Sequence, residues 1–228
     1  MKTYTAKEVA ATIDHAVLKP VQTEQDVIKN AQMSIRRGVK SMCVRPCDVA
    51  LAAKELKGSS VDVSVVVGFP HGSNRAETKA FEAKLAIQDG AKEIDMVMNI
   101  GQFRAGNYDN VQKDIAGVVA EARKSKVLVK VILETCYLNK DQIAKACKIV
   151  EAAGADFVKT STGFGDGPAT PEAIDVMIKT VGKTMGVKAS GGIRNWDAAV
   201  GYLNQGCTRL GVASTEAVLD GAQADGKY

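Results

Sequence analysis

Short β-branched runs and longer amphipathic stretches alternate along the whole of this 228-residue chain, and no other feature limits its fold as much. Eight runs read as strands: 12–17, 40–45, 61–68, 93–99, 127–134, 156–160, 187–190 and 208–211. The third and fifth, VDVSVVVG and VLVKVILE, are the plainest, being short and valine-rich. Helix-like segments separate them. Over 108–124, Val111, Ile115, Val118, Val119 and Ala122 fall on one face, the stripe of a helix packed on a sheet. Thr170-Pro171-Glu172 supplies a cap, a first-turn proline and an acid suited to the helix dipole. Asn139 and Asn195 are candidates to open two further helices. Parallel neighbours need crossovers, so this alternation predicts an α/β fold, a single (β/α)8 TIM barrel of roughly 28 residues per unit. An open doubly wound sheet is the rival. It usually has a G-x-G-x-x-G turn after its first strand, where this chain has LKPVQT. No low-complexity linker interrupts the pattern. The expectation is one domain over 1–228, ending in a polar tail over about 219–228.

Composition narrows the function. Hydrophobic residues at 46% and charged residues at 25% are those of a globular chain. The net charge of +4 is too small and too dispersed for a nucleic-acid groove, but it suits an anionic small molecule. No apolar run approaches the roughly 20 residues of a membrane span, and the polar start lacks a signal peptide's apolar core. The expectation is a cytoplasmic protein with no membrane partner. Five cysteines without a C-x-x-C argue against a disulfide framework or a zinc knuckle. Two histidines are too few for a three-histidine zinc site. Carbon chemistry would then fall to side chains or to a bound organic cofactor.

Barrel enzymes place their chemistry at the C-terminal ends of the strands, so polar residues closing apolar strands are the informative ones. Lys159 ends ADFVK and Lys188 sits in GVKASGG, on consecutive strands. Desolvation disfavours an ammonium there, and a second ammonium nearby disfavours it further, which leaves an amine able to form Schiff bases. The alternative is that both lysines reach solvent and only cover the rim. Asp95 shares a strand face with Val97 and Asn99, opposite Ile94, Met96 and Met98. It suits proton transfer, or else a buried structural ion pair. Asp14 suits orienting a lysine. The loops holding Gly163, then Gly191 and Gly192, then Gly211 let backbone N–H groups approach a phosphate. Cys43 reads as a small buried hydrophobe or a substrate contact. His15, His71 and Trp196 read as satisfied or packing residues.

These motifs together resemble the class I, Schiff-base deoxyribose-phosphate aldolase family. The likeness runs through IDHAVLKP, CVRP, VVVGFPHG, EIDMVMNIG, KVILET, FVKTSTGF, VKASGGIR and RLGVAS. It implies a (β/α)8 barrel that cleaves 2-deoxy-D-ribose 5-phosphate to D-glyceraldehyde 3-phosphate and acetaldehyde, with neither metal nor cofactor. By the same likeness Lys159 is the Schiff-base lysine, Lys188 the lysine that keeps it partly neutral, and Asp95 the carboxylate that handles protons with water. Asp14, Cys43, Thr160 and Ser190 fall near substrate. Gly163, Gly191, Gly192, Gly211 and Ser214 fall around its phosphate. A homodimer is implied, with sugar phosphate and aldehyde as the small-molecule partners. Two positions depart from the family pattern: Ala16 replaces a threonine after Asp-His, and Ala213 replaces a serine in the last glycine loop. Tyr228 is a candidate for the C-terminal tyrosine that reaches the site in some members. An aldolase for another phosphorylated sugar, or a sugar-phosphate-binding barrel without turnover, remain the alternatives.

Overall fold

Eight parallel strands pair in chain order and the last closes on the first, which excludes the open doubly wound sheet. The computed structural model describes residues 2–221. The short α1 (Ala6–Ala10) precedes β1 (Ile13–Val17), and α2 (Glu24–Arg37) leads to β2 (Ser41–Val44). Then follow α3 (Val49–Glu55), β3 (Asp62–Val67), α4 (Ala76–Gln88) and β4 (Glu93–Val97). Two helices, α5 (Ile100–Arg104) and α6 (Tyr108–Lys124), separate β4 from β5 (Leu128–Ile132). The rest alternates strictly: α7 (Lys140–Ala152), β6 (Phe157–Lys159), α8 (Pro171–Val181), β7 (Gly186–Ser190), α9 (Trp196–Gln205), β8 (Arg209–Val212) and α10 (Thr215–Leu219). All eight expected strands are present, most of them trimmed by a residue or more at an end.

Local chemistry sets the helix starts. Thr23 and Asn139 each close a capping box with the third helical residue, and Thr170 and Asn195 accept from the backbone N–H groups of Ala173 and Ala198. The stripe expected on α6 is buried. Strand alternation divides the interior into two environments. Ile94 and Met96 of β4 and Met98 just after it, with Val129, Val131 and Leu133 around β5, join the apolar layer under the helices. The intervening residues Glu93, Asp95 and Lys130 meet one another inside the barrel.

The N-terminal end of the barrel is plugged. Phe157, the first residue of β6, fills the space that a side chain on Gly186 would need; a Cβ there would lie 2.2 Å from the ring. The Arg209 guanidinium sits over the same ring, 5.5 Å from its centroid.

Candidate active site

Seven ionisable side chains form one connected network inside the barrel. At its base Arg209 grips Glu93 with two N–H groups (2.7 and 3.1 Å) and reaches Asp14 Oδ1 at 2.6 Å. Lys130 lies between three carboxylates: Glu93 at 2.6 Å, Asp95 at 2.7 Å and Asp14 at 3.2 Å. Above them Asp95 Oδ2 accepts from both Lys159 and Lys188, each at 2.7 Å. Lys188 also donates to Asp14 Oδ2. Ser41 donates to Asp14 at 2.7 Å and Ser64 to Asp95 at 3.2 Å, completing the two acids' shells.

Burial makes these contacts count. Lys159 is 2% exposed and Lys188 1%, so neither lysine reaches solvent over the rim. Burial alone would raise Asp14 and Asp95, but the surrounding cations win and hold both well below the carboxylate range. Lys130, desolvated but flanked by three acids, is held above its usual range. Lys159 moves the other way: desolvation lowers it, Asp95 opposes, and the Lys188 charge lowers it further. The network holds three carboxylates (Asp14, Glu93, Asp95) and four bases (Lys130, Lys159, Lys188, Arg209). Its charges balance when one base is neutral, and Lys159 is the base whose surroundings favour that state.

The remaining residues singled out in the sequence fall into separate places. Cys43 is buried with its thiol pushed up to about 11 by desolvation and then by Asp95, so it is a neutral apolar group. It packs with Leu18 and Val66, and Ala16 belongs to the same patch, against which Phe69 and Ala213 rest. Both departures from the family pattern therefore belong to one apolar patch beside the charged network. Thr160 and Ser190 staple β6 to β7: the Thr160 hydroxyl donates to Ser190 O and accepts from Ser190 N, both at 3.0 Å. The Ser190 hydroxyl donates to Ser161 O, so both hydroxyls are engaged by the protein. Gly163, Gly191 and Gly192 line a cavity of about 710 Å³ with Phe164, Pro168 and Arg194. Gly211 lies within the barrel wall, where an added Cβ would come 2.6 Å from Ser190 Cβ and 3.3 Å from Lys188 Cε. Ser214 opens α10 beside a separate cavity of about 310 Å³ that His15, Lys29 and Arg36 also line. His15 is buried and bonded at both ring nitrogens, to Asn30 (2.6 Å) and Thr215 (2.9 Å). Trp196 packs on the core, as expected. Tyr228 lies outside the described residues.

Sequence reasoning missed Lys130, Glu93 and Arg209 as members of the network. The signal was present: Glu93 is two residues before Asp95, Lys130 interrupts VLVKVILE, and Arg209 is two before Gly211, all in phase with an inward face. Among the described residues, no group of three or more histidine, cysteine, aspartate or glutamate side chains is arranged to hold a metal ion.

A closed parallel barrel with paired lysines buried at its core defines a class, and the chain belongs to the DeoC/LacD family of aldolases, whose family model matches residues 8–202. A deoxyribose-phosphate aldolase from Clostridium perfringens (strain 13 / Type A) is 48% identical over 222 residues, 97% of this chain and 99% of its own. A deoxyribose-phosphate aldolase from Streptococcus suis (strain 98HAH33) is 50% identical over 216 residues, 95% of this chain and 97% of its own. Among solved structures, the tetrameric deoxyribose phosphate aldolase from Aeropyrum pernix superposes with a TM-score of 0.89 at 29% identity, covering 95% of this chain and 91% of that one.

Proposed function

We propose that this protein is a class I deoxyribose-phosphate aldolase, cleaving 2-deoxy-D-ribose 5-phosphate to D-glyceraldehyde 3-phosphate and acetaldehyde through a Schiff base on Lys159. One observation carries the assignment of the nucleophile: Lys159 is a buried amine whose single carboxylate partner, Asp95 at 2.7 Å, is shared with Lys188. The neutral Lys159 amine adds to the C1 aldehyde and water leaves, giving an iminium. The C3 hydroxyl then loses its proton to Asp95 through water. The electrons of the C2–C3 bond flow into the iminium, leaving an enamine on Lys159 and releasing the phosphorylated aldehyde. Protonation of the enamine at C2 and hydrolysis of the new iminium release acetaldehyde and restore the amine.

Asp95 is a weak base while three cations surround it. A neutral Lys159 removes one of them, so the nucleophilic form of the lysine and the basic form of the carboxylate occur together. The cavity lined by Gly163, Gly191, Gly192 and Arg194 suits the substrate phosphate, whose binding energy would fix the carbon chain against Lys159. Among the described residues no helix is long and apolar enough to cross a membrane. A cytoplasmic homodimer belongs to the same proposal, testable by cell fractionation and sedimentation.

Borohydride reduction in the presence of acetaldehyde tests the assignment. The expected result is one reduced adduct that peptide mapping places on Lys159; a label on any other lysine rejects it. Acetaldehyde is expected to outcompete dihydroxyacetone as donor, and the reverse preference would point to an aldolase for another phosphorylated sugar.

A further inference from the structure

Glu134 follows β5 at φ +54° and ψ +65°, left-handed backbone that a glutamate adopts only against its preference. Only one other non-glycine residue among those described has a positive φ. The Glu134 side chain is buried, and both carboxylate oxygens are used. Oε1 accepts from the Thr162 backbone N–H at 3.1 Å and Oε2 from the Thr162 hydroxyl at 2.5 Å. The same hydroxyl accepts from Phe164 N at 3.0 Å, so one acid holds Thr162 directly and Phe164 through it, on either side of Gly163 in the β6–α8 loop. Gly165 lies against the carboxylate: a Cβ there would sit 3.0 Å from Glu134 Cδ. Desolvation raises the Glu134 carboxyl, while the two Thr162 bonds oppose it.

The loop so held begins one residue after Lys159, and its Gly163, Phe164 and Gly165 form one side of the cavity assigned to phosphate. An unfavourable backbone conformation held in place by a fully bonded acid, at the edge of a site, is how folds fix loops that must not drift.

We propose that Glu134 is a positioning residue of this aldolase: its carboxylate clamps the loop after β6 so that Gly163 and its neighbours meet the substrate's phosphorylated half. This rests on the aldolase reading. It adds that the energetic role of Glu134 is exerted on sugar phosphate and not on the amine's reaction with a small aldehyde.

The experiment compares Glu134→Gly and Glu134→Gln with the parent enzyme. Glycine tolerates the same φ, so Glu134→Gly removes the clamp while relieving the backbone. Its thermal midpoint serves as the control that it remains folded. KM for 2-deoxyribose 5-phosphate is expected to increase about tenfold or more, with borohydride trapping by acetaldehyde within about twofold of the parent enzyme. Glu134→Gln keeps one acceptor for Thr162 N and is expected to lie between the two. An unchanged KM in a folded Glu134→Gly protein overturns the proposal. So does an equal loss with acetaldehyde and sugar phosphate, which would place Glu134 in the amine chemistry. Should Glu134→Gly fail to fold, Glu134→Gln decides alone, and a parental KM overturns the proposal. Failure of the aldolase reading is distinguishable, since the parent enzyme itself would then not be trapped at Lys159.

Discussion

Replacing Lys188 with methionine removes a charge while keeping a straight, buried side chain. Lys159 and Lys188 each lie 2.7 Å from the same oxygen of Asp95, so their amines are at most about 5.4 Å apart. At an effective dielectric of about 20, two ammonium charges at that distance repel by about 3 kcal/mol. Without that repulsion the charged form of Lys159 is favoured by the same amount, and Asp14, freed from Lys188, adds to the effect. The fraction of neutral Lys159 at neutral pH should then fall about 100-fold. The initial rate of borohydride-trapped adduct formation with acetaldehyde should fall in proportion. Raising the pH should restore it, because the amine is present but titrates later. The assay is the trapping rate followed from neutral to alkaline pH, with the thermal midpoint as a control for folding. A rate reduced by one factor at every pH, with the profile in its original place, would refute the electrostatic role and leave Lys188 a geometric one.

Three other perturbations test other parts of the structure. His15 is pushed from 6.5 down to about 4 by desolvation, so the unfolded chain binds a proton that the folded one refuses. Its contribution is complete above pH 6.5 and is lost as pH falls toward 4, up to about 3 kcal/mol. Urea unfolding at both ends of that window should show a shallower acid loss in His15→Gln than in the parent; equal slopes would refute this. Gly192 has φ +77° and an added Cβ would lie 2.6 Å from Pro168 Cβ. Gly192→Ala should therefore displace the loop after β6 and raise KM for sugar phosphate about tenfold, leaving acetaldehyde trapping near the parental rate. Lys79 of α4 is fully buried, donates to Asp114 of α6 at 2.5 Å and to Val97 O at 2.9 Å, and so ties two helices to the end of β4. Lys79→Met leaves Asp114 buried without its cation and should cost about 3 kcal/mol by denaturant titration. Adding Asp114→Leu should recover most of that loss, and no recovery would mean that the helices are held by something else.

How much the sequence revealed depended on the kind of signal. The strands were legible because valine-rich runs between capped amphipathic helices leave few arrangements, and Thr170, Asn139 and Asn195 do cap the helices they introduce. Lys159, Lys188 and Asp95 were legible because each is a charged residue flanked by apolar neighbours in its strand, and the structure brings them within hydrogen-bonding distance. The geometry of closure was not. Arg209 and Glu93 begin β8 and β4, four strands apart around the barrel, and only its curvature brings them into contact. Glu134 was hidden for another reason. Its significance lies in a backbone angle and a loop contact, and neither leaves a trace in a pattern of polar and apolar residues. Thr160 and Ser190 carry a structural role that the sequence pattern did not show: the Thr160 hydroxyl bonds the Ser190 backbone and the Ser190 hydroxyl bonds Ser161 O.

The contrast between Lys130 and Lys159 supports the nucleophile proposed above. Both project from neighbouring strands into the same barrel, and both are almost completely buried. Burial alone would lower both, yet they move in opposite directions. Lys130 has three carboxylates within 3.2 Å, whereas Lys159 has half of one, because Asp95 Oδ2 also serves Lys188. The count of acids per amine therefore sets the opposite directions of the two shifts. Lys130 and Arg209 neutralise the lower part of the network, leaving the upper part with one cation too many. Lys159 ends its strand at the C-terminal side of the barrel, where barrel enzymes place their chemistry, and desolvation and the Lys188 charge favour its neutral form.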